Sequence, residues 1–145
     1  MLVLRCSSKE KSMDKLLKMA QKVPYALLFL KPAAAKTKAE LEFAFFLARG
    51  TIKSRKSISA KLANEAMLFL SGETNFSSAV RKIGAKKTSD FVLVAERDLK
   101  LAKLKKALNL KKAKAHKLSA WGKKRKNYSQ GELAIEKMAI SRIKK

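Results

Sequence analysis

The sequence predicts an α+β fold in which a small, mostly antiparallel sheet of about three to four strands packs with about six helices. Short apolar runs bounded by proline or polar residues are typical of buried strands. Between these runs, apolar residues recur with the period of a helix that buries one face. The chain has 145 residues, of which 47% are hydrophobic. A chain of this size can bury one core, so we expect residues 1–145 to form a single domain.

The N-terminal part of the chain contains two predicted strands with a helix between them. Residues 2–5 form the first strand, and residues 25–30, between Pro24 and Pro32, form the second. Ser12 precedes a predicted helix with one apolar face. That face carries Met13, Leu16, Leu17 and Ala20.

A second helix is predicted to begin at a capping box. Thr37 and Glu40 have the spacing at which the hydroxyl bonds the Glu40 amide and the carboxylate reaches back. Gly50 is expected to end this helix. Residues 51–56 then form a basic connector.

Two further helices are predicted before the central strand. Ser57 or Ser59 is expected to cap the third helix, which includes Ile58 and ends at residues 71–72. The fourth helix runs from a cap at Thr74 or Asn75 to a stop at Gly84. Residues 86–90 form a polar turn, and the β-branched run 91–95 has the signature of a central strand.

The C-terminal third of the chain is strongly basic. Glu96 and Asp98 are expected near the start of a basic helix with a thin leucine stripe. Residues 113–120 are ambiguous, and a fourth strand is one interpretation. Residues 121–127 are expected to form a basic loop, followed by a second capping box and a final helix. That helix has more than one apolar face, so it is either central to the core or docked on a partner, with the core as the default.

The charge of the chain favours a polyanionic partner. It has 35 Lys and Arg against 11 Asp and Glu, a formal net charge of +24. Residues 43–64 and 99–131 contain no acid. Positive charge this concentrated favours a nucleic-acid surface over a solvated lysine coat, and we expect the nucleic acid to be RNA.

The sequence lacks the usual groups of enzymes and metal sites. Cys6 and His116 are the single cysteine and histidine, too few for a zinc site or a disulfide. No phosphate-binding glycine motif is present. We therefore expect a protein that is not an enzyme, with no metal, no cofactor and no small-molecule substrate. The apolar runs are too short to cross a bilayer, and the N-terminus lacks a long apolar signal region, so we expect a cytoplasmic protein without a membrane partner.

Residues 57–84 carry an ordered series of features. First comes a basic turn, and then a helix in which Glu65 precedes an apolar run. After that helix come a Ser-Gly pair, a polar triplet and an amphipathic helix that ends in Ile83 and Gly84. In this order the segment resembles the kinase-binding, CGI-type subunit of the KEOPS complex in its archaeal form. The resemblance covers residues 25–95 and, more loosely, 119–145. This chain departs from the family pattern after the Ser-Gly pair. Relatives often carry an Arg-Gln pair there, whereas this chain has Thr74 and Asn75.

The resemblance implies a non-catalytic role in tRNA modification. KEOPS places a threonylcarbamoyl group on the adenosine beside the anticodon, and a separate subunit performs the transfer. The subunit that this chain resembles binds the complex's small atypical kinase/ATPase, and through it the threonylcarbamoyltransferase. It also holds tRNA, including the single-stranded 3′ CCA end.

Candidate RNA-binding residues follow from charge and position. The basic turn and the start of the fourth helix are expected to converge on one site, since free amides at a helix N-terminus favour anions. The candidates are Lys53, Arg55, Lys56, Lys61, Thr74, Asn75, Lys82, Trp121, Lys123, Lys124 and Arg125. The candidate kinase-binding residues are Ile135, Met138 and Ile143 in the final helix.

Structural roles remain open for several of these residues. Thr74 or Asn75 is also explained as a simple cap, and Trp121 as a core anchor. Glu65 is expected to pair with a nearby Lys or Arg. At the level of function, the alternatives are a general RNA-binding module of the ribosome-associated type and an enzyme acting on RNA.

Overall fold

The computed structural model describes residues 1–118 and the backbone of residues 124–125 and 128–129. Its α+β architecture confirms the predicted fold class. The elements in chain order are β1 (Leu2–Ser8), α1 (Met13–Ala20), β2 (Leu27–Leu30), a short 3-10 turn (Pro32–Ala34), α2 (Lys38–Lys53), α3 (Leu62–Ser71), α4 (Phe76–Ile83), β3 (Phe91–Ala95), α5 (Leu101–Ala107), β4 (Leu110–Ala115), β5 (Lys124–Arg125) and β6 (Tyr128–Ser129).

The described residues form two compact units. The sheet unit comprises Met1–Ala34 and Gly84–Lys117. The helical unit contains Ala35–Ile83, which holds α2, α3 and α4. No helix of the described residues is long and apolar enough to cross a bilayer.

The sheet unit is built on four antiparallel strands in the order β2-β3-β1-β4. Every residue of β3 is buried, as the β-branched run predicts for a central strand. One core cluster combines side chains of the sheet with Leu16 of α1 and Leu104 of α5. In it the rings of Phe29 and Phe91 lie with their centroids 5.6 Å apart. The sheet leaves β4 as an edge strand.

The helical unit packs α2 on α3 and α3 on α4. The predicted cap of α2 is present, since the Thr37 hydroxyl accepts from the Glu40 amide at 3.2 Å and donates to the Glu40 carboxylate at 2.9 Å. The predicted end of α3 is also present, with Gly72 in the left-handed region at φ 73°. A side chain at this φ would strain the backbone.

Two predicted helix boundaries in the helical unit are wrong. Gly50 does not end α2, which continues to Lys53; a single exposed glycine costs a helix about 1 kcal/mol, too little to stop it. The third helix does not begin at Ser57 or Ser59, because α3 starts at Leu62. Bonds between a buried carboxylate and the backbone hold residues 57–61 outside the helix, as described below.

Three differences appear in the second half of the chain. The basic helix α5 starts after Lys100, and the Glu96 amide bonds the Ala26 carbonyl at 3.2 Å, which extends the pairing of β2 and β3. Of the ambiguous segment 113–120, residues 113–115 belong to β4, which begins earlier than expected, at Leu110. Within the expected basic loop 121–127 lies β5, which pairs antiparallel with β6 just after the loop. The predicted final helix, the sixth, lies outside the described residues.

Candidate nucleic-acid interface

The basic turn after α2 is closed by backbone hydrogen bonds. The Lys56 amide bonds the Thr51 carbonyl at 2.9 Å, and the Arg55 amide bonds the Ile52 carbonyl at 3.1 Å. This pair of bonds is the Schellman arrangement, which ends a helix by turning one residue into the left-handed region. Arg55 is that residue, at φ 60°. The turn therefore has a defined backbone that projects basic side chains at the C-terminus of α2.

Arg55 occupies a position that favours glycine. The left-handed conformation costs a residue with a Cβ about 1–2 kcal/mol. Asn109 is the other described non-glycine residue with positive φ, at 51°, and its side chain donates to the Glu10 carboxylate at 3.1 Å. Asparagine tolerates this region. Among the described residues Arg55 forms no ion pair or side-chain hydrogen bond that would explain an arginine here.

The cations of the turn are available to a ligand. Lys53, Arg55 and Lys56 are exposed, and within residues 1–118 none forms an ion pair. Their charge also stabilises α2, because cations favour the negative end of the helix dipole. That structural contribution is modest, typically about 0.3–1 kcal/mol for an exposed group. Lys61 is exposed as well, at the N-cap of α3.

Glu65 shapes the segment between the basic turn and α3. Its side chain is fully buried, and its carboxylate accepts from the Ile58 amide at 3.0 and 3.3 Å and from the Ser59 amide at 3.4 Å. These bonds tie the Glu65 carboxylate to the backbone of the preceding loop. The predicted ion pair of Glu65 with Lys or Arg stays a prediction. Burying the carboxylate is tolerable because its oxygens accept hydrogen bonds.

The start of α4 is an ordinary helix cap. The Asn75 side-chain oxygen accepts from the Ser78 amide at 3.2 Å, and Thr74 is exposed beside it. Lys82 donates to the Ser71 carbonyl at 2.8 Å and pairs with Glu73 at 3.8 Å. Its ammonium therefore joins α4 to the end of α3. The expected convergence of these residues with the basic turn stays a prediction.

Exposed aromatic rings in the helical unit are a feature that the sequence reasoning missed. Phe46 on α2 is 64% exposed, and its ring is stacked with that of Phe43 at a centroid distance of 6.1 Å. Phe76, beside the Asn75 cap, is 42% exposed. The signal was present in residues 43–46, because three phenylalanines in four positions cannot all share one buried helix face. Exposed rings suit base stacking and also suit contact with a protein partner.

Several candidate residues lie outside the described residues or are described only in part. Trp121 and Lys123 are outside, as are the candidate kinase-binding residues Ile135, Met138 and Ile143. Lys124 and Arg125 are described as the backbone of β5 alone. Their roles stay predictions.

The sheet unit holds the single thiol of the chain in its core. Cys6 is buried, and desolvation raises its pKa to about 12, against a smaller opposing effect of the Lys105 charge. The thiol therefore stays protonated and weakly nucleophilic at neutral pH. Among the described residues, no three His, Cys, Asp or Glu side chains are grouped to hold a metal ion.

Comparison with known proteins adds no assignment. The chain matches no protein-family model, and a search of curated proteins gave no match.

Proposed function

We propose that this chain is a non-catalytic, cytoplasmic subunit of a KEOPS complex. It binds the atypical kinase/ATPase of the complex and recruits tRNA, including the 3′ CCA end. It thereby supports threonylcarbamoylation of the adenosine beside the anticodon. The resemblance in residues 57–84 supports the complex, and the geometry of the basic turn supports the RNA.

The observation that carries the RNA proposal is the left-handed Arg55 in an exposed basic turn. The Schellman turn requires the left-handed conformation but favours glycine there, so an arginine kept at this cost points to a function of its side chain. Lys53 and Lys56 flank Arg55, and all three are exposed. A turn of fixed backbone with cations and no acid nearby in sequence is suited to phosphate oxygens.

The aromatic rings of the helical unit support a single-stranded ligand. Single-stranded RNA is bound by phosphate contacts combined with rings on which the bases stack. Phe46 belongs to α2, the helix that leads into the basic turn, and its ring is mostly exposed. The helical unit thus supplies both kinds of group that the 3′ tail of tRNA needs.

The kinase part of the proposal is supported by the resemblance and by the apolar pattern of residues 133–143. Its test is copurification of the chain with a kinase-like partner and bound tRNA from native lysate. A chain that copurifies with RNA but with no kinase favours the general RNA-binding alternative. Turnover by the isolated chain favours an enzyme.

The RNA part is tested by comparing intact tRNA with tRNA that lacks its 3′ tail. We expect weaker binding without the tail, measured by fluorescence anisotropy over a range of salt concentrations. Replacing Lys53 and Lys56 by glutamine should reduce the slope of log affinity against log salt by about 1.4, since each single-strand phosphate contributes roughly 0.7.

The matched control replaces Lys18 and Lys22, two exposed lysines of the sheet unit, by glutamine. It makes the same change in net charge at residues that are not part of the basic turn, so its slope should stay close to that of the unmodified chain. Equal affinity for both forms of tRNA would refute tail binding. An equal loss in both double variants would show that only the net charge matters.

A further inference from the structure

A second basic surface lies in the sheet unit and shares no residue with the candidates named so far. It is a groove of about 470 Å³ along β1 and β4. Five cationic side chains and one carboxylate line it: Arg5, Lys105, Lys111, Lys112, Lys114 and Asp90. They come from β1, β4, α5 and the turn before β3.

Strand register brings part of this charge together. In the antiparallel pair of β1 and β4, Arg5 lies opposite Lys114, and Ser7 lies opposite Lys112. Residues opposite each other, or two apart on one strand, share a face of the sheet. Lys112 and Lys114 are therefore about 7 Å apart along the strand axis on one face. This is comparable to the distance between successive phosphates of a nucleic-acid strand.

Most of the charge in the groove is not neutralised within the protein. Arg5 is held by Asp90 through two bonds, from Nε at 2.9 Å and from one terminal nitrogen at 2.8 Å. The four lysines are exposed, and in the described part of the chain none forms an ion pair. Four lysines gathered in one groove without an acid partner among the described residues repel one another, so this arrangement suggests an external anion.

Protection of the sheet edge is the simpler explanation for lysines on β4. Lysines on an edge strand discourage pairing with another strand, and that role accounts for Lys111, Lys112 and Lys114. It does not account for Lys105, which comes from α5 and lines the same groove. Nor does edge protection require a concave surface.

The uncharged residues that line the groove indicate which kind of anionic ligand it can bind. Among the described residues that line it, the uncharged ones are the small residues Cys6, Ser7, Ser89 and Ala113, and the Cys6 side chain itself is buried in the core. The described part of the lining thus offers no aromatic ring for stacking an unpaired base. Within the same described residues it offers no large apolar side chain to enter a membrane interface.

We infer that this groove binds the phosphate backbone of a double-helical segment of RNA. The inference rests on the proposed RNA-binding function and adds a second site to it. The two sites differ in ligand: the helical unit takes the single-stranded tail, and the groove takes paired RNA. Binding in the groove is through phosphates and is independent of base sequence.

The test uses the full chain and a variant in which Lys112 and Lys114 are both replaced by glutamine. The probes are a blunt RNA duplex, a single-stranded oligonucleotide ending in CCA, and phosphatidylserine vesicles. For the duplex, we expect about a tenfold loss of affinity and a salt slope smaller by about 1.8, since each duplex phosphate contributes roughly 0.9. The single strand should bind both proteins equally.

Two further variants keep the result interpretable. Replacing Lys112 and Lys114 by arginine retains the charge and should restore duplex binding. The variant with glutamine at positions 18 and 22 should bind the duplex as the unmodified chain does. Unchanged thermal unfolding of each variant shows that the sheet unit is folded.

The outcomes separate this inference from the proposed function. If the single strand binds as expected but duplex affinity is unchanged when Lys112 and Lys114 are replaced by glutamine, the groove site is refuted and the tail site stands. If binding to vesicles falls while binding to the duplex does not, the groove is a membrane-surface site. If neither RNA binds the unmodified chain, both proposals fail.

Discussion

The basic turn of the helical unit and the basic groove of the sheet unit present charge in different ways. In the turn, the cations are close in sequence, and a left-handed residue ends the helix that carries them. In the groove, they come from distant segments, and strand register brings them together. One surface is organised by local backbone geometry and the other by the tertiary fold.

This difference determines how each surface responds to mutation. The groove contains a carboxylate, Asp90, that fixes one of its cations, whereas in the helical unit a buried carboxylate, Glu65, bonds the loop that follows the basic turn. A substitution at either acid should therefore affect one surface and leave the other unchanged.

Replacing Glu65 by glutamine should destabilise the protein by about 2 kcal/mol. A hydrogen bond to a buried charged group contributes about 1.5–3 kcal/mol. In the glutamine side chain, an NH2 group replaces one of the two carboxylate oxygens and cannot accept a hydrogen bond from the loop backbone. The loop next to the basic turn should loosen, so affinity for the 3′ tail should fall while duplex affinity is kept. Urea denaturation followed by circular dichroism, then anisotropy, measures both.

The matched control for this change is Glu73→Gln, in the same unit. Glu73 forms an exposed ion pair with Lys82, and exposed pairs contribute about 0–1 kcal/mol. If the two variants are equally stable, Glu65 does not hold the loop.

Replacing Arg55 by glycine should stabilise the protein while weakening its binding. Glycine adopts the left-handed region without the steric cost of a Cβ, so we expect a gain of about 0.5–1 kcal/mol in the free energy of unfolding. The loss of one cation should weaken tRNA binding about fivefold. Denaturant titration and anisotropy give the two values.

Asn109→Gly is the comparison in the sheet unit. It relieves a similar backbone conformation but removes the bond to Glu10, so we expect no gain in stability and no change in tail binding. An Arg55→Gly variant that is less stable than the unmodified chain would contradict the strain argument.

The smallest effect concerns Asp90 and acid pH. The hydrogen bond from Arg5 lowers the pKa of Asp90 below its ordinary 3.8, and the charges of Arg5, His116 and Lys87 act in the same direction. The ionised carboxylate therefore adds stability at pH values above its unfolded pKa. That contribution is lost as the pH falls below 3.8 and through the folded pKa.

Asp90→Asn should accordingly flatten the fall in stability below pH 4. At neutral pH the variant should also bind the RNA duplex roughly two- to threefold more tightly, because removing the carboxylate raises the net positive charge by one. Thermal unfolding between pH 2.5 and 7, roughly the range in which carboxylates titrate, measures the first effect. A pH profile identical to that of the unmodified chain would show that the pair adds nothing.

The sequence predicts the local features of the fold well. The central strand 91–95, the cap at Thr37 and the left-handed stop at Gly72 each depend on neighbouring residues, and the structure has all three. The end of α2 was missed because Gly50 is compatible with a helix, which continues to its Schellman turn at Arg55.

The candidate site was predictable only where its residues are close in sequence. The basic turn is visible as a run of cations. The groove is not, because nothing near Arg5 in sequence indicates that it will lie opposite Lys114. The bonds of Glu65 to backbone amides six and seven residues earlier depend on its burial, which no local pattern specifies.

The core of the sheet unit contains a natural reporter of its own opening. Cys6 is the one cysteine in the sequence, and its neighbours in the core are Leu and Phe side chains of the sheet and helices. A thiol-alkylating reagent reaches it only when β1 separates from that packing. The rate of labelling therefore measures the local opening of this unit alone, without an engineered probe. Copies of the chain should likewise remain free of intermolecular disulfides in air for as long as the strand stays in place.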